Sequence, residues 1–341
     1  MAKSKGKAGS VKVFDMKIEV VRQGRGTPVV VFYDEEALAL DSPVLDRLAA
    51  GGREVIVVSP PGFGKSDRPD WIDSVDDCAY ICLDALDALK VKDADVIGFG
   101  LGGWIAAEMA IKTTRNMRRL VLVDPFGIKV GGRFDRDIQD IWFLSPQKVQ
   151  ELKYADVAKG SIDYTVMPES KLTTIARNKE SYARFCWQPY MHNPKLKDRL
   201  HRIDVPTLVV WGEKDGIITP AYGRAFAKQI KGAKFAVIKG AGHFPHVEQP
   251  DALLKLIDGF LGKARKAAAP KKAKAVKAKK AKAKKTVAKK AKKAKAKAKK
   301  APARKAKKAP ARKAKKAPAR KAKKAPARKK SPARKRAGRG R

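Results

Sequence analysis

The chain has 341 residues and carries 78 Lys and Arg against 34 Asp and Glu, a formal net charge of +44. The last acidic residue is Asp258, and residues 263–341 hold 40 basic residues and no acidic one, which leaves positions 1–262 with a net of only +4. A segment whose only branched aliphatic side chains are Val276 and Val287 cannot bury enough surface to fold, so one globular domain is expected rather than the two that length suggests, and Cys78, Cys82 and Cys186, without a CxxC pair or a Cys/His cluster, argue against a disulfide framework or a zinc site.

In chain order, residues 1–9 read as a flexible extension without the apolar run of a signal peptide or membrane helix, and together with reduced thiols this makes the cytoplasm the expected compartment. The folded domain is predicted over 10–262. Residues 11–21 alternate polar and apolar side chains, as in an antiparallel entry hairpin. Apolar β-branched runs at 28–33, 55–59, 95–99, 120–124, 207–211 and 235–239 predict strands. Amphipathic stretches at 75–89, 103–112, 222–230 and 252–261 predict helices between them, the alternation of a parallel α/β sheet. From 127 to 201 the strand rhythm stops, and Trp142, Phe143, Tyr154, Tyr182, Phe185, Trp187 and Tyr190 fall among charged helical sequence. A helical lid over a pocket is the expectation there, with ordinary packing helices as the alternative.

The strand at 95–99 ends in Gly98-Phe99-Gly100-Leu101-Gly102-Gly103-Trp104 and runs straight into a helix. Strand, tight turn and helix is the setting of a G-x-S-x-G nucleophile elbow, in which small flanking residues permit the strained turn and the helix N-terminus supplies N–H donors. Further segments arrive in a matching order: Pro60-Pro61-Gly62-Phe63-Gly64-Lys65-Ser66, Leu120-Val121-Leu122-Val123-Asp124-Pro125, Gly212-Glu213-Lys214-Asp215 and Gly240-Ala241-Gly242-His243-Phe244-Pro245. As a set they resemble the α/β-hydrolase superfamily across nearly all of 10–262. The resemblance implies an α/β-hydrolase fold, a mostly parallel central sheet with helices on both faces. It makes His243 a general base, Asp215 its orienting carboxylate and Asp124 a reserve acid. Gly100, Leu101, His243 and the lid aromatics are expected to line a pocket, the lid composition suggests a small, largely apolar or aromatic ligand, and with no cofactor motif in the sequence no cofactor and no metal are expected. The alternatives are plainer: a structural loop histidine at 243, a turn-forming carboxylate in Asp215-Gly216, packing or surface roles for His246, His192 and His201, and a dinucleotide-binding glycine loop at 98–103.

Two departures from the family pattern change the expected chemistry. Position 100 is glycine, which has no atom able to form an acyl-enzyme, and losing the nucleophile of such a triad costs on the order of 10⁶ in turnover. After the run at 28–33 the family often has His-Gly, where this chain reads Tyr33-Asp34-Glu35-Glu36. Carboxylates at Asp34 and Glu35 would oppose a developing oxyanion if they faced it. Their alternatives are surface charge or acids preferred at a helix N-terminus. Two outcomes fit these departures. Either His243 and Asp215 still do general-base hydrolysis or related proton-transfer chemistry, with Asp34 or Glu35 as acid partner, or the domain binds a ligand or partner without turnover.

In the tail, Ala301-Pro302-Ala303-Arg304-Lys305-Ala306-Lys307-Lys308 recurs from Ala309, from Ala317 and in part from Ala325. One proline per octad and dense like charge predict disorder over 263–341. These octads resemble the tails of linker histones and bacterial histone-like proteins. The resemblance implies a nucleic-acid partner and a nucleoid-associated location, with other polyanions as rivals. With no aromatic residue after Phe260, binding would be sequence-blind, through counterion release.

Overall fold

A computed structural model of the chain describes residues 6–33, 42–132 and 134–264. The segment from 265 onward, and with it the expected disorder and histone-like character of the tail, lies outside the described residues.

The domain opens on an antiparallel hairpin of β1 (Lys7–Val13) and β2 (Met16–Gly24), turned at Phe14 with φ 52°. β1 begins at Lys7, so residues 7–9 belong to the sheet and not to the flexible extension expected for 1–9. Their exposure explains the misreading: a strand whose side chains mostly face water carries no apolar alternation. Six parallel strands follow: β3 (Thr27–Phe32), β4 (Arg53–Val58), β5 (Ala94–Phe99), β6 (Met117–Val123), β7 (Thr207–Gly212) and β8 (Lys234–Ile238). The sheet order is β1-β2-β4-β3-β5-β6-β7-β8. All six predicted strand runs are present, with boundaries shifted by one to three residues.

Apart from the edge strand β8, the parallel strands are buried on both faces, which is why they read as unbroken β-branched runs rather than as alternating ones. One face presents Val30, Ile56, Val96, Leu122 and Val209 to a core shared with α2 (Val75–Ala88), α3 (Gly100–Lys112) and α6 (Pro220–Lys228). The other presents Val31, Val57, Ile97, Val121 and Val210 to α1 (Pro43–Ala50) and α8 (Pro250–Leu261), through Leu45, Leu48, Leu253 and Ile257 among others. The sequence reading had not marked α1. It has only eight residues, and its signal is the Ser42-Pro43 start that suits a first helical turn.

Between β6 and β7 the insertion predicted as a lid contains α4 (Pro146–Lys153), α5 (Glu169–Cys186) and two turns of 3-10 helix, Val157–Gly160 and Lys197–Arg202. α5 is fastened to the loop after β4. Ser181 Oγ donates to the Gly62 carbonyl at 2.9 Å, Asn178 Oδ1 accepts from Gly64 N at 2.9 Å, and Arg177 donates to the Ser66 carbonyl at 2.5 Å. Cys78 and Cys82 lie buried on α2, and Cys186 is buried at the end of α5; none forms a disulfide. Burial pushes the Cys78 and Cys82 thiols well up, the state of inert core cysteines. No described helix is long and apolar enough to cross a membrane.

Candidate active site

Parallel strands deliver their following loops to one edge of the sheet, and here four of the five motif-bearing loops follow β5, β6, β7 and β8, which are neighbours in that order. The elbow comes first. Gly100 is the first residue of α3 and has φ +47°, a left-handed conformation between an extended Phe99 and a regular helix. The predicted helix at 103–112 therefore starts three residues earlier than expected, because the elbow itself is its first turn. Gly102 allows a second close approach: a Cβ there would lie 2.4 Å from the Phe32 carbonyl, so this turn sits directly on the end of β3. Leu101 is fully buried, and its N–H belongs to the first turn of α3, where amides have no intrahelical acceptor.

The carboxylate and imidazole meet as the motif order implied. His243 Nδ1 and Asp215 Oδ2 are 2.7 Å apart, with the residues 3% and 4% exposed. Asp215 Oδ1 accepts from Ile217 N at 2.9 Å and Ile218 N at 3.0 Å, so the carboxylate is fixed by backbone donors as well as by the ring. The Nδ1 contact turns Nε2 away from the acid. Asp124, fully buried with φ 44°, accepts from Gly212 N at 2.8 Å.

Asp124, Asp215 and His243 offer one ligand atom each within 4.8 Å of one another, the grouping among the described residues that could hold a metal ion. Their donor set argues against that use. Both oxygens of Asp215, one of Asp124 and Nδ1 of His243 already serve hydrogen bonds within the fold.

Aromatic rings connect this cluster to the insertion. Phe126, two residues after Asp124, packs 5.1 Å from the His243 ring and 6.3 Å from Tyr182, and Tyr182 meets Trp142 at 6.0 Å. Of the other predicted lid aromatics, Tyr154 and Phe185 are buried, Tyr190 is half-buried, and Phe143 and Trp187 are exposed. His246 is a packing residue against Phe99 and Phe244. His192 Nδ1 contacts the Tyr190 carbonyl two residues earlier at 2.8 Å, and His201 is exposed. Asp34 and Glu35 lie outside the described residues.

Two neighbours escaped the sequence reading. Phe126 was visible only as the residue after Asp124-Pro125. Lys153, a charged residue in a polar helix, is 6% exposed, with its ammonium 5.4 Å from the Phe244 ring centroid and its carbonyl accepting from His243 N at 2.7 Å.

A sequence model of the alpha/beta hydrolase family matches residues 32–256, the span from the end of β3 to α8 that carries every element of this cluster. The chain belongs to the alpha/beta hydrolase family. Its curated relatives include 2-hydroxymuconate semialdehyde hydrolase of Pseudomonas sp. (strain CF600), 26% identical over 235 residues, covering 64% of this chain and 80% of that protein. The enzyme of the same description from Pseudomonas putida is 25% identical over 266 residues, covering 71% and 89%. Among solved structures, the meta-cleavage product hydrolase from Pseudomonas fluorescens IP01 superposes with a TM-score of 0.60 at 18% identity, covering 74% of this chain and 97% of its own, a likeness of fold. The hydrolase fold thus stands, and the dinucleotide-binding alternative for residues 98–103 falls with it.

Proposed function

We propose that this alpha/beta hydrolase family protein carries out general-base hydrolysis, or a related proton transfer, on a small molecule without a covalent enzyme intermediate. The observation that carries the reading is the buried 2.7 Å His243–Asp215 contact in a chain whose elbow residue is Gly100. A serine-based cycle needs an oxygen at position 100, and none is there. The pair needs only a substrate proton or a water. As the water oxygen attacks the substrate's carbonyl carbon, His243 Nε2 takes its proton and Asp215 stabilises the imidazolium. The bond to the leaving group then breaks, and the same proton goes to that group. The N–H of Leu101 supports the developing oxyanion in this reading. Asp34 and Glu35 act as acid partners or stand clear of it.

Asp124 is the reserve acid in this scheme because it lies within 4.8 Å of the pair. Turnover in Asp215→Asn is expected to fall about a hundredfold, and less in Asp124→Asn, with the double variant below both. Equal turnover in wild type and Asp215→Asn, measured on the same substrate, would remove the pair from the mechanism. The relatives' substrates, meta-cleavage products such as 2-hydroxymuconate semialdehyde, are the first compounds to assay. One rival reading, favoured by Gly100 itself, is a ligand- or partner-binding domain without turnover.

The tail supports a second activity, tethering of the domain to nucleic acid. Its 40 cationic residues suit tracking of a phosphate backbone, while the domain proper, with a net of +4, has no comparable stripe. A nucleoid-associated location in the cytoplasm follows from this proposal.

A further inference from the structure

The last turn of α4 and the residues after it touch both loops that carry the His–Asp pair. The Leu152 carbonyl accepts from Gly216 N at 3.0 Å, next to Asp215, and the Lys153 carbonyl accepts from His243 N at 2.7 Å. Three residues on, Asp156 N donates to Glu248 Oε1 at 2.9 Å, while Glu248 Oε2 accepts from Gly242 N at 2.6 Å. Glu248 is 4% exposed, and its backbone carbonyl takes the Lys159 ammonium at 3.2 Å. One buried carboxylate therefore joins the peptide just before His243 to the insertion, more than ninety residues away in sequence.

Local sequence makes room for this arrangement. A Cβ on Gly242 would lie 2.4 Å from the Lys153 carbonyl and 2.9 Å from Ala155 N, so glycine lets the end of α4 and the residues after it lie against the histidine loop. Pro245 opens the short helix α7 (Pro245–Glu248), whose single turn carries Glu248 back beneath Gly242. A buried carboxylate needs several donors to offset its desolvation, and backbone N–H groups on two separate segments supply them.

We infer that Glu248 is a positioning residue for His243, and that segment 152–156 is a fixed strut that sets the acid loop and the histidine loop relative to each other. The inference rests on the reading of His243 and Asp215 as the proton-transfer unit. Without the carboxylate, the Gly242 and Asp156 amides lose their common acceptor, and the histidine loop keeps the His243 N to Lys153 O bond and the packing of Tyr154 and the Lys153 ammonium on the Phe244 ring as its ties to the strut. The root of the insertion then belongs to the frame of the site and is not a cover over it.

The test uses the full chain with ¹⁵N-labelled histidine and follows the imidazole proton shared by His243 Nδ1 and Asp215, assigned by its loss in His243→Gln. In Glu248→Gln the exchange of that proton with water is expected to speed up about tenfold. Amide exchange should quicken at 152–156, 215–216 and 242–243 but stay at the wild-type rate in β5 and β6. A general loss of stability would instead quicken β5 and β6 equally, and that result, or an unchanged imidazole proton, overturns the inference. If Glu248→Gln does not fold, Glu248→Asp, whose shorter side chain cannot reach both amides, is read by the same criteria. Asp215→Asn separates the two levels: should it leave the imidazole proton untouched, the His–Asp reading itself fails, whatever the Glu248 variants do.

Discussion

Gly100→Ser is expected to raise hydrolysis of activated esters about 10³-fold over the natural chain and to show a burst of acyl-enzyme. The magnitude follows from two opposing effects. A nucleophile in such a triad is worth on the order of 10⁶, and carboxylates at Asp34 and Glu35 that oppose the developing oxyanion would offset up to about 10³ of it. The new hydroxyl would stand at the head of α3 on a residue with φ +47°, a conformation that costs a non-glycine residue about 1–3 kcal/mol. The variant should accordingly melt at a lower temperature while gaining activity. A folded Gly100→Ser protein with neither burst nor added turnover would mean that His243 does not address the elbow. Activity confined to the serine variant would assign the natural domain to ligand binding.

Ending the chain after Gly262 is expected to abolish retardation of duplex DNA while leaving the melting transition of the domain in place. For the full chain, engaging only about eight phosphates gives a salt slope near −7 on logarithmic axes, a loss of about 10⁴ in affinity between 50 and 200 mM salt. The 40 basic residues beyond 262 allow far more contacts than that. Sequence variants of the duplex should bind alike, because the tail has no aromatic side chain for stacking. Undiminished binding by the truncated domain would move the interaction onto the folded surface.

The parts of this molecule that were legible in its sequence are those whose cause is local. The five inner parallel strands announce themselves because burial on both faces demands continuous β-branched runs, and the glycines at 98, 100, 102 and 103 announce the elbow because that tight turn takes small residues at those positions. His243 and Asp215 were legible through their order, each in a loop of recognisable composition, and the 2.7 Å contact between them agrees with that order. What stayed hidden depends on partners distant in the chain. Exposed residues 7–9 gain their strand character only from pairing with β2. Lys153 and Glu248 look like ordinary surface charges until the fold brings the end of α4 against the histidine loop, where the Lys153 ammonium lies over the Phe244 ring and backbone amides hold the Glu248 carboxylate. A hydrogen bond to a backbone amide leaves no signature in the identity of its donor.

The account turns on His243 acting as a base in a chain whose residue 100 is glycine. The most direct measurement compares turnover by the natural chain and by His243→Ala across a panel of esters, lactones and meta-cleavage products, with substrate binding followed separately by calorimetry. The expected result is turnover in the natural chain that falls by about 10²–10⁴ in His243→Ala while binding persists, the range of a lost general base. Turnover that survives the substitution unchanged would contradict it.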